Sequence, residues 1–244
     1  MTGFEVRHYD SVGSTNDEAI RLAAEGAPHA TVVHADQQTV GRGRLARRWL
    51  SPPGNLYVSI ILRLGPLAAR TVELGFVAAL AVADAIETML PKQERATLKW
   101  PNDVLVRDGK ISGILVEQAD DALVLGIGIN VLQAPGSVSY KVSTIVGCGG
   151  LATVDGTRSA LLTALAHWLD IWQRDGFDAI RATWLTRAHP PGTPLRVTIG
   201  SKALANGNIE LKPRTEPDPK KAELVPRDAA ARVLAERVRA ALSR

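Results

Sequence analysis

Two strand-like runs, residues 104–107 and 110–117, are separated only by Asp108-Gly109. A two-residue Asp-Gly link favours the positive φ angles of a type I′ turn, whose twist matches that of antiparallel strands. The segment is therefore expected to close as a hairpin, with Lys110 opening the returning strand. Further strand-like runs at 5–9, 31–35, 56–63 and 123–130 supply partners for one mixed sheet.

Helical patterns fall between these runs. Residues 15–25 open on a Thr-x-x-Glu capping box, Thr15 and Glu18, and stop at Gly26. A second helix over 70–90 stops at Pro91, and a third runs over about 157–175. The second is very apolar, yet Glu73, Asp84 and Glu87 interrupt it, so it reads as a core helix rather than a membrane span. Trp168, Trp172 and Trp184 sit on helical patterns and are assigned to packing. The expected class is α/β (α+β), a mixed sheet with helices covering one face.

At 244 residues and 45% hydrophobic content, the chain suits one large domain plus an appendage. The character changes at Pro190-Pro191-Gly192, which suggests domains at 1–190 and 191–244. In the second part, a strand is expected at 195–199. Pro213, Pro217 and Pro219 then break a charged segment, and an arginine-rich amphipathic helix is expected over 228–242.

Composition narrows the partners. A net charge of +4, from 29 Lys and Arg against 25 Asp and Glu, is no nucleic-acid excess. Cys148 stands alone without metal-ligand spacing, and the N-terminus lacks a basic segment followed by an apolar one, so a reducing cytoplasm is expected. The five histidines are scattered, and surface or packing roles are expected for them.

Three segments carry chemistry. Residues 41–49 pack Arg42, Arg44, Arg47 and Arg48 among glycines, which suits wrapping an anion but also suits a solvated basic loop or a nucleic-acid patch. Residues 99–103 hold Lys99, Trp100 and Asp103 together around Pro101-Asn102. Gly126-Ile127-Gly128-Ile129-Asn130 presents bare backbone on one strand face, with a polar side chain at its end.

Taken in order, Gly13-Ser14-Thr15-Asn16, Gln38 with the arginine loop, Lys99 to Asp103 running into Lys110 and Gly113, and Gly128-Ile129-Asn130 closely resemble the biotin protein ligase catalytic domain. The resemblance covers roughly residues 10 to 190. It implies a class II synthetase-like mixed sheet, normally followed by an SH3-like barrel. The Pro-rich charged segment after Ser201 departs from that barrel and points to a small atypical C-terminal unit.

The same resemblance implies roles. Ser14, Thr15, Asn16, Gln38 and Arg42, with the backbone near Gly113, match positions that hold biotin. Arg44, Arg47 and Lys110 match positions that grip carboxylate and phosphate oxygens. Trp49 and Asn130 match groups that meet ATP or the adenylate, and Asn102 and Asp103 match residues that line the reacting centre. Arg44, Lys110 and Asp103 are thereby the expected catalytic groups, with Arg44 retaining the adenylate.

ATP with Mg2+ would serve as co-substrate and counter-ion, with no dedicated metal site in the protein. The acceptor would be the biotin carboxyl carrier domain of a carboxylase. With Ser14 so near the start, a ligase without a DNA-binding domain is expected, as monomer or homodimer, with no DNA or membrane partner. A lipoate-ligase-like enzyme and a noncatalytic nucleic-acid binder are the rival readings, and no lipoate-type Arg-Arg-x-Ser-Gly-Gly-Gly segment is found. Leu45-Ala46 stands where the family commonly has glycine, so the loop is expected to be stiffer there.

Overall fold

Alternation along the strands sorts apolar side chains to opposite sides of one sheet. The computed structural model describes residues 3–65, 71–136, 138, 140–188, 208–211, 223–226, 229, 232 and 236. Seven strands form the sheet: β1 (Glu5–Val12), β2 (Thr31–Gln38), β3 (Leu56–Leu62), β4 (Thr97–Lys99), β5 (Asp103–Val106), β6 (Gly109–Ala119) and β7 (Ala122–Ile129). Their order is β1-β2-β3-β7-β6-β5-β4. β1 and β2 are parallel, and the other neighbours are antiparallel. The mixed sheet and the α/β class are as expected.

On β7, Leu123, Leu125, Ile127 and Ile129 enter the main core with Leu56, Val58, Ile60 and Leu62 of β3. Helices α2 (Thr71–Glu87), α3 (Val154–Asp175) and α4 (Phe177–Arg187) contribute to that core. Two of the charges inside α2 have partners there. Trp168 Nε1 donates to Asp84 Oδ2 at 2.6 Å and Trp172 Nε1 to Glu73 Oε2 at 2.7 Å, so the tryptophans pack and also satisfy half-buried carboxylates.

The other sheet face carries Val33, Ile61 and Val124, which join Ala19, Leu22 and Ala23 of α1 (Thr15–Ala24) in a smaller core. Helices therefore cover both faces, not one, because α1 connects the parallel β1 and β2 and packs opposite α2 and α3. Past α1 this face is bare, with Gly126 and Gly128 on β7 paired to Leu115 and Gly113 on β6.

Two local expectations are corrected. The hairpin forms, but the residues with positive φ are Arg107 (51°) and Asp108 (61°), and Gly109 already pairs with Val106 in the ladder. A Cβ on Gly109 would lie 2.2 Å from Ser143 Oγ and 2.9 Å from Ser143 N, so packing claims the glycine for the strand and shifts the turn by one residue. The Thr15–Glu18 capping box is absent as well. Ser14 is the N-cap residue, Thr15 Oγ1 donates to Gln38, and Glu18 accepts from Tyr9 and Arg21.

Asn55 is only 1% exposed and closes the segment after β7. Its Oδ1 accepts from Val131 N at 2.8 Å and from Leu132 N and Gln133 N at 3.1 Å. Asn55→Ala is expected to lose about 3 kcal/mol, because several amides lose their acceptor at once. Chemical denaturation checks this, and a loss under about 1 kcal/mol would mean that water replaces the side chain.

The histidines are less scattered than the sequence suggests. His8 and His34 rings stand 5.0 Å apart, and Arg158 NH1 lies 2.8 Å from His34 Nδ1. Burial, then the nearby Arg158 charge, push His34 from 6.5 down to about 4. Its neutral form is favoured in the fold, so its share of stability is complete above pH 6.5 and is lost as pH falls toward about 4. His34→Gln is expected to show a shallower stability loss over that window in urea titrations at stepped pH.

The chain divides into two compact units, Met1–Pro191 and Gly192–Arg244. In the second, β8 (Asn208–Leu211) pairs antiparallel with β9 (Glu223–Pro226). The strand expected at 195–199 lies outside the described residues, as does the helix over 228–242 except for residues 229, 232 and 236. Among the described residues, no helix is long and apolar enough to cross a membrane.

Candidate active site

The bare sheet face is the floor of a cleft of about 410 Å³. Ser14, Thr15, Asn16, Gln38, Arg42, Arg44, Arg47, Trp49, Asn102, Asp103, Lys110 and Gly113 all line it. Of the expected site residues, only Asn130 lies outside this lining.

The glycines make room for side chains laid flat on the strands. A Cβ on Gly126 would fall 2.1 Å from Asn16 Oδ1, one on Gly128 2.7 Å from Trp49 Nε1, and one on Gly113 2.9 Å from Trp49 Cζ3. The close approach inferred from the Gly-Ile-Gly pattern is real, but its occupants are Asn16 and Trp49 of the chain itself. Trp49 Nε1 has no hydrogen-bond partner among the described residues.

On the α1 side the lining is neutral and polar. Ser14, Thr15 and Asn16 are buried at the first turn of the helix. Gln38 Oε1 accepts from Thr15 N at 2.8 Å and from Thr15 Oγ1 at 3.1 Å, while Gln38 Nε2 donates to Ser51 Oγ at 2.8 Å. These contacts fix the amide orientation of Gln38 and hold β2 against the start of α1.

The arginine loop is itself a small hairpin. Arg42 and Arg48 form an antiparallel bridge, and Gly43 N donates to Arg47 O at 2.7 Å. That closure brings Arg44 and Arg47 to the cleft. At the tip, Leu45 takes a φ of 56°, a left-handed conformation that favours glycine. Leu45 thus carries backbone strain at an exposed position.

On the β5–β6 side stand the opposite charges. Lys110 Nζ lies 2.6 Å from Asp103 Oδ1, an ion contact without hydrogen-bond alignment, since that oxygen has no hydrogen-bond partner. The ammonium also lies 5.2 Å from the Trp49 ring centroid and 5.8 Å from that of Tyr140. Burial and the Asp103 charge push the Tyr140 hydroxyl up, with Arg47 opposing them. Asn102 Nδ2 donates to Ile114 O at 3.0 Å, which clips the loop before β5 onto β6.

Asn130 is 2% exposed and borders a smaller crevice shared with Trp49, Lys110 and Tyr140. Its Nδ2 donates to Lys110 O and to Ser143 O, both at 3.3 Å. In this geometry it braces the backbone of Lys110.

Sequence reasoning missed Ser59, Glu117 and Tyr140. Glu117 was discoverable, because it follows Gly113 and Leu115 at the two-residue period of one strand face. Tyr140 sits in an irregular segment with no pattern to announce it.

Among the described residues, no group of three or more His, Cys, Asp or Glu side chains could hold a metal ion. The cleft instead offers a neutral polar wall, an apolar aromatic floor and cations at the β5–β6 side and in the loop. It suits a ligand that is neutral and apolar in part and anionic where it reacts.

The family model described as Biotin/lipoate A/B protein ligase family matches residues 10–133. The "Biotin--[acetyl-CoA-carboxylase] ligase" of Paracoccus denitrificans is 36% identical over 199 residues, covering 77% of this chain and 82% of that protein. The protein of the same name from Mycobacterium tuberculosis is also 36% identical, covering 77% of this chain and 72% of its own length. Among solved structures, biotin protein ligase from Aquifex aeolicus in complex with biotin and ATP superposes with a TM-score of 0.66 at 26% identity, covering 91% of this chain and 95% of that one.

Proposed function

The chain belongs to the biotin/lipoate A/B protein ligase family, and from that membership we propose an ATP-dependent biotin protein ligase whose acceptor is the biotin carboxyl carrier domain of acetyl-CoA carboxylase or a related carboxylase. Residues 1–190 form its catalytic domain and 191–244 a small C-terminal unit. One observation carries the site reading. The neutral Ser14–Thr15–Gln38 wall and the Lys110–Asp103 pair line one cleft, with Arg44 and Arg47 on the loop above a glycine-cleared floor.

In the first step, a biotin carboxylate oxygen bonds to the α-phosphorus of ATP, the bond to the β-phosphate oxygen breaks, and pyrophosphate leaves. Two anions must meet, so Lys110, Arg44 and Arg47 lower the barrier by neutralising charge that crowds in the transition state. Arginine supplies a planar two-pronged donor and lysine a compact point charge. Among the described residues no group of three or more His, Cys, Asp or Glu side chains could hold a metal ion, and Mg2+ would arrive with the nucleotide's phosphates as counter-ion.

In the second step, an acceptor lysine amine attacks the acyl carbon, AMP leaves, and the amine gives up a proton. Asp103 is the carboxylate in place to orient the amine or take that proton, with Lys110 as its counter-charge. Asp103→Ala is expected to slow transfer to the carrier by about 10²-fold or more and adenylate formation by no more than that. Rapid-quench measurement of each step separates them, and unchanged transfer would leave Asp103 only its structural place at the start of β5.

The nucleic-acid reading is weakened by the loop's own contacts, since Arg42 is held by Glu117 and Asp17 and not displayed as a phosphate-binding strip. The test is to combine the protein with labelled biotin, ATP and Mg2+, with and without a carrier domain, and to follow pyrophosphate release and labelling. ATP-dependent labelling of the carrier supports the ligase. The same result with lipoate and not biotin would transfer the reading to the sister substrate, and no product with either would overturn it.

A further inference from the structure

We propose that Glu117 is a positioning residue for the biotin half of the cleft, and that Arg42 serves as a tie through it and not as an anion-binding cation. The inference rests on the ligase reading above for the identity of the ligand.

Arg42 is neutralised twice. Its NH1 and NH2 meet Glu117 Oε1 and Oε2 at 3.1 and 3.2 Å, and NH2 also pairs with Asp17. A guanidinium facing two carboxylates has little field left for an incoming carboxylate or phosphate. Glu117 Oε2 in addition accepts from Asn16 Nδ2 at 2.7 Å. One carboxylate thus joins the arginine loop, the first turn of α1 and strand β6.

The contacts continue into a closed ring. Asn16 Oδ1 lies 2.5 Å from Ser59 Oγ, which lies 2.8 Å from Thr15 Oγ1. Thr15 bonds Gln38, Gln38 bonds Ser51, and Ser51 Oγ donates to Trp49 O at 3.2 Å. Trp49 N donates to Gly41 O at 2.8 Å, one residue from Arg42, where the ring closes. Thr15, Asn16, Gln38 and Arg42, four of the residues matched to biotin, are therefore members of one circuit, and Glu117 is the link in it that joins the helix and the loop to β6. The Lys110–Asp103 pair lies outside it, so this ring sets the affinity for biotin more than the chemistry on ATP.

Glu117→Gln keeps the length and removes the charge. That variant, Arg42→Met and the double variant would be measured for biotin binding by calorimetry without ATP, for kcat and KM for ATP in pyrophosphate exchange at saturating biotin, and for tryptic cleavage within 42–48. Each single change is expected to weaken biotin about 10- to 100-fold, with kcat and KM for ATP within about threefold. The double variant should bind no worse than the weaker single one, because both break the same tie. Cleavage of the loop should quicken in all three.

Additive losses in the double variant would show that Arg42 touches the ligand on its own account and would overturn the proposal, as would a change confined to KM for ATP. If Glu117→Gln does not fold, Asp17→Asn loosens the exposed end of the same tie. It is expected to weaken biotin about threefold and to quicken cleavage, and no change in either overturns the proposal. Wild-type protein that binds no biotin would sink the ligase reading instead, and the cleavage rates would then decide the tie by themselves.

Discussion

Lys110→Ala is expected to slow adenylate formation by about 10²- to 10³-fold while leaving the fold intact. Lys110 is held through its backbone as well as its side chain. Lys110 N donates to Lys141 O at 2.9 Å, Lys110 O accepts from Ser143 N at 3.0 Å, and Asn130 Nδ2 adds a third contact at 3.3 Å. The ammonium then stands 2.6 Å from Asp103 Oδ1, and 5.2 and 5.8 Å from the Trp49 and Tyr140 ring centroids, with only 18% of its side chain exposed. A charge fixed before the substrates arrive needs no reorganisation when negative charge develops, which is why its loss should fall on the rate. Lys110→Arg should also be impaired, because a planar fork does not fit a place shaped for a compact ammonium. Biotin-dependent pyrophosphate exchange reads the effect and a thermal melt guards the fold. Exchange within about fivefold of wild type would remove Lys110 from the chemistry.

Gly109→Ala should also cost stability heavily, a loss of about 3 kcal/mol. The new Cβ would meet Ser143 Oγ at 2.2 Å and the backbone atoms Ser143 N and Val142 C at 2.9 Å, and backbone cannot rotate aside as a side-chain tip can. Relief would require pulling residues 142–143 from the edge they share with Lys110, where Lys110 and Val142 form a parallel bridge. At roughly 2–4 °C per kcal/mol for a chain of this size, the melting temperature should drop by about 6–12 °C. Gly136→Ala is the control, since a Cβ there meets nothing within 4 Å and its melt should be unchanged. Equal melting temperatures for the two variants would refute the packing argument. Because Lys110 is the next residue, activity at a permissive temperature should fall as well.

Much of the fold was legible because it follows from local periodicity. Alternation marked β6 and β7, the apolar run marked α2, and the Gly-Ile-Gly pattern marked the cleared face. What was misjudged had one cause. The Thr15–Glu18 pair has the spacing of a capping box, yet Thr15 Oγ1 bonds Gln38, twenty-three residues away, and Glu18 bonds Tyr9. Asp108-Gly109 has the composition of a turn, yet the turn sits on Arg107-Asp108. In each case a long-range contact outbid a local preference worth about 1 kcal/mol.

The candidate site shows the same division. Arg44, Lys110, Asp103 and Gln38 could be named from the order and spacing of short motifs. The contacts that hold them inside the cleft could not. No pattern tells that Arg42 is spent on Glu117 and Asp17, that Asn130 supports the Lys110 backbone, or that Tyr140 closes on the ammonium. Sequence by itself determined the class of the fold, the family and the inventory of charged groups, because hydrophobic period and motif order are properties of neighbouring residues. Only the tertiary structure decided which charges are already paired and which face the cleft, because pairing depends on distances between segments that the sheet brings together from opposite ends of the domain.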